Sequence, residues 1–326
     1  MKILVTGGLG FIGSNFILKL LNEHKDFSVI NVDAEFQGSE HRNLEEIKNH
    51  EKYDFVKGNI TNKNLMEKLI LDSDIIVNFA AESFVDRSIL DANPFLVSNF
   101  RGTFTILDLI KKTKKRLVQI STDEVFGSLK KDTAYEDTRF NPSSPYAATK
   151  ASAELLVNSY NITFECDSII TRCTNNYGPR QYPEKLIPKV ILLANENKKI
   201  PVYGNGMNVR DWIFVEDHCE AVFQVMLDGK SGESYNISAN NEINNLTIIK
   251  KILEIMNKSE DLIEFVEDRP GHDLRYSLSS DKIRNEIKWK EKTSFEEGIK
   301  TTVDWYLSNK EFFYNNLDAS QKTPWK

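Results

Sequence analysis

The sequence predicts an α/β protein: a doubly wound parallel sheet followed by a smaller mixed α/β domain. Two observations carry that prediction. The apolar runs KILVT (2–6), SVINVD (28–33), YDFVKG (53–58), DIIVNFAA (74–81), RLVQIST (116–122) and DSIITR (167–172) alternate with segments of helical periodicity. Strands apolar on both faces belong in a sheet covered on both sides. After about residue 174 the rhythm breaks: Pro179, Pro183 and Pro188 punctuate the chain, and YGNGMN (203–208) reads as a turn between IPVY and VRDWIFV. Helices such as NLTIIKKILEIMNK (245–258) are expected to follow without regular strands. The expected division is a first domain over 1–174, with returning segments near 210–240, and a second over 175–326.

The intervening helices are IGSNFILKLLNEH (12–24), TNKNLMEKLIL (61–71) and GTFTILDLIKK (102–112). KKTKKR (111–116) reads as the exposed, cation-bearing C-terminal end of the last of these. With a net charge of −6 and no basic block interleaved with aromatics, the chain gives no support for a nucleic-acid face. Cys166, Cys173 and Cys219 have no metal-site or disulfide spacing and are expected to be buried thiols, with no metal. MKILVTGG passes directly into glycines without a long apolar region, and no run is long enough to span a membrane, so a cytoplasmic protein is expected.

VTGGLGFIGSNF (5–16) places Gly7, Gly8, Gly10 and Gly13 between the first strand and its helix. Glycines there allow a tight turn and let the backbone approach a pyrophosphate at the helix N-terminus. Asp33 ends the next strand, twenty residues beyond Gly13, where a carboxylate accepts from ribose hydroxyls and repels a 2′-phosphate. That favours NAD over NADP in a Rossmann-type domain. FAAES (79–83) ends another strand with small residues that let a cofactor lie close.

In NPSSPYAATKASAELLV (141–157), Ser144 is the expected N-cap and Pro145 the first helical residue, so Tyr146 and Lys150 share one helix face. A lysine cation beside a phenol, with the nicotinamide's positive charge adding to it, is expected to lower its pKa toward that of a general base able to take a hydroxyl proton while hydride leaves for NAD. LVQISTDEVFGS (117–128) ends a strand in Ser121 and Thr122 and then presents Asp123 and Glu124. Adjacent acids on a regular strand face opposite ways, so both reach one pocket only if the strand stops there. Two carboxyls sharing a desolvated pocket resist joint ionisation, which leaves one neutral and one charged.

These residues resemble the extended short-chain dehydrogenases and, among them, the dTDP-glucose 4,6-dehydratases. The resemblance runs through VTGGLGFIGSN, AAESFVDRSI, STDEVFG, SPYAATKA, NNYGPRQYPEKLIPKVI, PVYGNGMNVRDWIFVEDHC, YNISANNEINN and EDRPGHDLRY, nearly the whole chain. The Thr-Asp-Glu run separates it from relatives that epimerise or decarboxylate nucleotide sugars. The resemblance implies NAD held by Gly7, Gly10, Phe11, Ile12, Gly13, Asp33, Asn59, Ile60, Phe79, Ala80, Ala81, Ser83, Ser98, Tyr146, Lys150 and Asn176. It implies a substrate held by Ser83, Thr122, Asn175, Lys185, Leu186, Pro201, Val202, Tyr203, Arg210, Asn245, Arg269 and His272.

The implied chemistry is dehydration of dTDP-glucose, or alternatively UDP-glucose. Tyr146 deprotonates the 4-hydroxyl that Thr122 holds, Glu124 removes the hydrogen on carbon 5, Asp123 protonates the departing 6-hydroxyl, and hydride returns to carbon 6. A homodimer packed through first-domain helices is a further implication. Three departures from the family pattern stand out: Phe84 where a histidine is usual, Asn59 where an aspartate commonly meets adenine, and an atypical stretch DAEFQGSEHRNLEEI (33–47). An epimerase or decarboxylase would have no use for Asp123 and Glu124. A silent NAD-binding protein is expected to have lost the tyrosine, the lysine or the acids.

Overall fold

The computed structural model describes residues 1–310; positions 311–326, the end of the expected second domain, lie outside the described residues. The six predicted strands form as β1 (Lys2–Thr6), β2 (Ser28–Asp33), β3 (Tyr53–Lys57), β4 (Ile75–Asn78), β5 (Arg116–Thr122) and β6 (Ser168–Cys173). Further along are β7 (Asn175–Tyr177), β8 (Ile200–Tyr203), β9 (Val209–Phe214), β10 (Ser234–Ile237), β11 (Glu242–Asn244) and β12 (Ile263–Val266). The large sheet has the order β10-β6-β5-β4-β1-β2-β3, with every pairing parallel.

The expectation that regular strands cease in the second half is therefore corrected. The four residues of β10 pair with β6 at the sheet's edge, but the stretch is too short, and too polar at Asn236, to announce a strand. All residues of β4 and β6 are buried, as both-face coverage requires, whereas edge strand β3 is only partly so.

Helices Phe11–Glu23 and Val215–Asp228 cover one face, with Phe16, Ile17, Val222, Met226 and Trp289 in its core. On the other face, Met66, Ile70, Ile106, Ile110 and Val157 project from helices Lys63–Leu71, Gly102–Thr113 and Pro145–Phe164. Each such side chain contributes about 1.5–3 kcal/mol by leaving water. A second core, with Ile191, Trp212, Ile249, Ile252 and Val303, joins the small sheet β11-β9-β7 to the helices above it, while β12 and β8 pair in parallel beside it.

Because the chain runs from β1 outward to β2 and β3 and then returns to β4 on the other side, a crevice opens between the carboxyl ends of β1 and β4. Among the described residues no helix is long and apolar enough to cross a membrane.

Candidate active site

The crevice is floored by backbone. Gly7 has φ +69°, and a Cβ on it would lie 2.7 Å from the Ala80 backbone; one on Gly13 would lie 2.5 Å from the Gly7 carbonyl. These positions admit only hydrogen. Gly10 caps the helix Phe11–Glu23 without a side chain, leaving the helix N-terminus open to an anion. Asp33 ties the turn together: it accepts from the Leu9 amide at 3.0 Å, the Glu35 amide at 2.8 Å and the Ser39 hydroxyl at 2.8 Å.

Every residue expected to hold the cofactor lines this one cleft: Gly7, Gly10, Phe11, Ile12 and Gly13 on the loop, Asp33, Asn59 and Ile60 beyond β2 and β3, and Phe79, Ala80, Ala81, Ser83 and Ser98 after β4. Tyr146, Lys150 and Asn176 close it from the far side. The atypical stretch contributes Ala34, Phe36 and Ser39 to the same wall. Asn59 turns its side-chain oxygen back to the Thr61 amide, at 2.9 Å.

β5 stops at Thr122, and a short 3₁₀ turn, Asp123–Phe126, follows; the Thr122 hydroxyl accepts from the Glu124 amide at 3.3 Å. That turn breaks the strand's alternation and sends both carboxyls into the cleft. Thr122 donates to Asp123 Oδ1 at 3.1 Å, while buried Oδ2 has no hydrogen-bond partner among the described residues. Burial, with the Glu124 charge adding to it, pushes Asp123 up to about 8. Burial also raises Glu124, but Arg269, Lys185 and Arg210 pull against it. Burial and mutual repulsion thus oppose joint ionisation of the pair, and the cations face Glu124.

Ser144 caps the helix Pro145–Phe164, accepting from the Ala147 amide at 3.1 Å, and Tyr146 and Lys150 lie buried on its inner face. From the protein's own groups, burial and the Glu124 charge raise Tyr146 well above the ordinary phenol value, against the pull of the Thr122 hydroxyl, and Lys150 donates to the Ile120 carbonyl at 2.6 Å. Burial lowers Lys150 to about 8, against the attraction of Glu154 one turn on.

Glu154 and Arg172 form an ion pair at 2.8 Å with side chains 0% and 2% exposed, and Ser121 also donates to Glu154. Sequence reasoning missed this anchor. Its only signals were a charged residue within a strand pattern and an acid four residues after Lys150.

A second cleft lies over the sheet edge and takes in Asn175, Lys185, Leu186, Pro201, Val202, Tyr203, Arg210, Asn245, Arg269 and His272; Ser83 and Thr122 sit in the first cleft. Glu124, Asn175, Lys185 and Phe84 line both. Arg269 pairs with Asp86 Oδ1 at 2.7 Å, and the Tyr203 hydroxyl donates to Asp86 Oδ2 at 3.4 Å. Arg210 lies 4.3 Å from the Tyr276 ring centroid and donates to the Asp273 carbonyl at 2.9 Å. Burial and the Arg269 charge lower His272 to about 4, so its imidazole is neutral. Asp86, Asp273 and Tyr276 were not singled out from sequence, although each lies within a quoted motif.

Residues 4–302 match the family model described as GDP-mannose 4,6 dehydratase. The chain is 48% identical over 312 residues to the low-salt glycan biosynthesis protein Agl12 of Haloferax volcanii, covering 95% of this chain and all of that one. It is similar to a crystal structure of the dTDP-glucose 4,6-dehydratase of Bacillus anthracis in complex with NAD, with 45% identity, a TM-score of 0.92, and 97% and 99% of the two chains covered. DesIV, a dTDP-glucose 4,6-dehydratase from Streptomyces venezuelae with NAD and TYD bound, superposes with a TM-score of 0.95 at 39% identity over 97% and 99% of the two chains. With matches of that extent, on a chain that brings a Thr-Asp-Glu turn and a Tyr-Lys helix to one Rossmann crevice, this chain belongs to the dTDP-glucose 4,6-dehydratase family of extended short-chain dehydrogenases.

Proposed function

We propose that the protein catalyses the NAD-dependent dehydration of dTDP-glucose to dTDP-4-keto-6-deoxyglucose, a step of rhamnose-type deoxysugar biosynthesis. The observation that carries this reading is the pair Asp123 and Glu124, turned together into the cleft with one carboxyl raised to about 8. The glycine floor, which a Cβ at Gly7 or Gly13 would fill, fits a dinucleotide pyrophosphate. The buried Asn176 Oδ1 in the same cleft, without a hydrogen-bond partner among the described residues, fits a carboxamide donor. When bound there, NAD supplies reversible hydride acceptance, out from carbon 4 and back to carbon 6.

Thr122 and Tyr146 hold the sugar's 4-oxygen, and Tyr146 takes its proton, its phenol drawn down by the Lys150 charge, anchored beneath by the Ile120 carbonyl, and by the nicotinamide's positive charge when NAD is bound. Glu124 removes the hydrogen on carbon 5, which the 4-ketone has made acidic. Asp123 donates to the departing 6-hydroxyl. In the second cleft Lys185 and Leu186 lie along the diphosphate and sugar, Pro201, Val202 and Tyr203 flank the base, and Arg210, Asn245, Arg269 and His272 reach the phosphates and ribose. On this reading residues 1–174, with the return near 210–240, hold the cofactor, and the remainder holds the nucleotide sugar in a cytoplasmic enzyme.

We also propose a homodimer. Leu96, Phe100 and Phe104 recur at four-residue spacing with 50%, 38% and 44% exposure, and Leu155 and Ile162 on the neighbouring helix are 60% and 82% exposed. A second copy of the same helices would cover such a face.

The test is turnover with NAD and dTDP-glucose and UDP-glucose in competition, following the 4-keto product by its absorbance in alkali. Thymine and uracil differ by one methyl, worth about 1–3 kcal/mol, so preference for dTDP-glucose is expected without exclusion of UDP-glucose. Absence of keto sugar from either substrate in protein that binds NAD would overturn the reading.

A further inference from the structure

Phe84 stands where the two clefts meet. Its side chain is 6% exposed and lines both. Its backbone is fixed at the start of the helix Val85–Leu90, where its carbonyl accepts from the Arg87 amide at 3.0 Å and the Ser88 amide at 3.2 Å. The ring packs against Tyr182, with centroids 5.7 Å apart, and a Cβ built on Gly38 would come within 3.3 Å of it. Two cations lie on this ring. The Lys185 ammonium is 4.8 Å from the centroid and the Arg87 guanidinium carbon 4.5 Å.

The two cations differ in what else they touch. Arg87 is neutralised by an ion pair with Glu184. The Lys185 ammonium makes no direct ion pair among the described residues, although Glu124, Glu184 and Asp86 act on it through space; the hydrogen bond it donates goes to the Ser83 carbonyl at 2.8 Å. An ammonium carries three donors, so two are left to point into the cleft. A carboxylate would hold that lysine equally well but would cancel the charge that a diphosphate needs. An aromatic face attracts the cation through its quadrupole and leaves the charge intact.

We propose that Phe84 is a positioning residue for substrate binding, its ring face holding the Lys185 ammonium without a direct ion pair at the junction of the clefts for the diphosphate of the nucleotide sugar. This rests on the functional reading above.

Replacing Phe84 by alanine would also open a cavity, so the test is stepwise fluorination of the ring at position 84, which drains the quadrupole with little change in volume. The readouts are the dTDP dissociation constant, the NAD dissociation constant, and KM and kcat for dTDP-glucose. Across the series the dTDP dissociation constant and KM are expected to rise stepwise, by roughly tenfold in total, with kcat and NAD affinity unchanged. In a Lys185→Met background the same series is expected to be flat, because the cycle removes the cation that the ring holds. A flat series in the parent enzyme, or an undiminished slope in the Lys185→Met background, would overturn the proposal. Failure of the functional reading shows separately, as an unsubstituted enzyme that neither binds dTDP nor forms keto sugar.

Discussion

The cleft proposed for the cofactor and the cleft proposed for the substrate share a wall yet are built from different material. The first is backbone: glycines pressed to within a hydrogen's width of neighbouring peptide groups, a helix start, and strand ends carrying small residues. The second is side chain: Arg269 on Asp86, Arg210 on Tyr276, and Lys185 on Phe84. Backbone construction recognises what every dinucleotide shares, whereas paired side chains can be exchanged to recognise one nucleotide sugar. Of the two acids proposed to carry the elimination, Glu124 stands on the wall between and Asp123 beside it in the first cleft, where burial perturbs them without closing either site.

Substitutions at that wall are expected to have the largest effect and to leave both clefts able to bind. Asp123→Asn is expected to lower kcat by about 10²–10⁴ while dTDP and NAD affinities hold, measured by turnover and calorimetry. Its stability should move the other way. The native carboxyl, raised to about 8, binds a proton that the unfolded chain, with its ordinary value of 3.8, has already lost. Wild-type stability therefore falls as pH rises from about 4 and levels off above about 8, and the Asn variant should lack that decline in melts across pH. Wild-type activity should fall as pH rises through about 8, as the acid loses its proton.

Beneath the wall, Glu154→Gln would strand Arg172 in the interior, with an expected cost of about 3–5 kcal/mol in denaturant unfolding. Gly13→Ala attacks the backbone half alone. Its Cβ would stand 2.5 Å from the Gly7 carbonyl, so NAD affinity should fall by about 1–3 kcal/mol with dTDP affinity kept. The smallest effect is expected from Arg210→Lys on the side-chain half: KM for dTDP-glucose should rise by roughly fivefold, from loss of the planar guanidinium over Tyr276, with NAD affinity unchanged. If Gly13→Ala and Arg210→Lys each disturbed both ligands equally, the division between the halves would fail.

The same contrast explains what the sequence could disclose. The glycine turn, the six strands β1 to β6 and the Ser144 cap are dictated by neighbours a few residues away, and each forms where local pattern places it. The stop after Thr122 was legible because two adjacent acids make sense only in a break. Arg269 and Asp86, by contrast, are 183 residues apart, and Arg210 and the Asp273 carbonyl 63, so no local periodicity joins them. Those residues were reached through family motifs, and their partners were missed. Spacing places Lys150 on the helix face of Tyr146 but does not disclose the burial and the Glu124 charge that act on the phenol in the other direction. Strand β10 escaped because four residues at a sheet edge carry too little pattern.

Whether the wall between the clefts performs elimination is tested most directly by Glu124→Gln turned over with dTDP-glucose and NAD in deuterated water. Oxidation at carbon 4 should persist, seen as accumulating absorbance of the reduced nicotinamide, while loss of water and entry of deuterium at carbon 5 both stop. Normal formation of the 4-keto-6-deoxy sugar by that variant, with deuterium at carbon 5, would contradict the account.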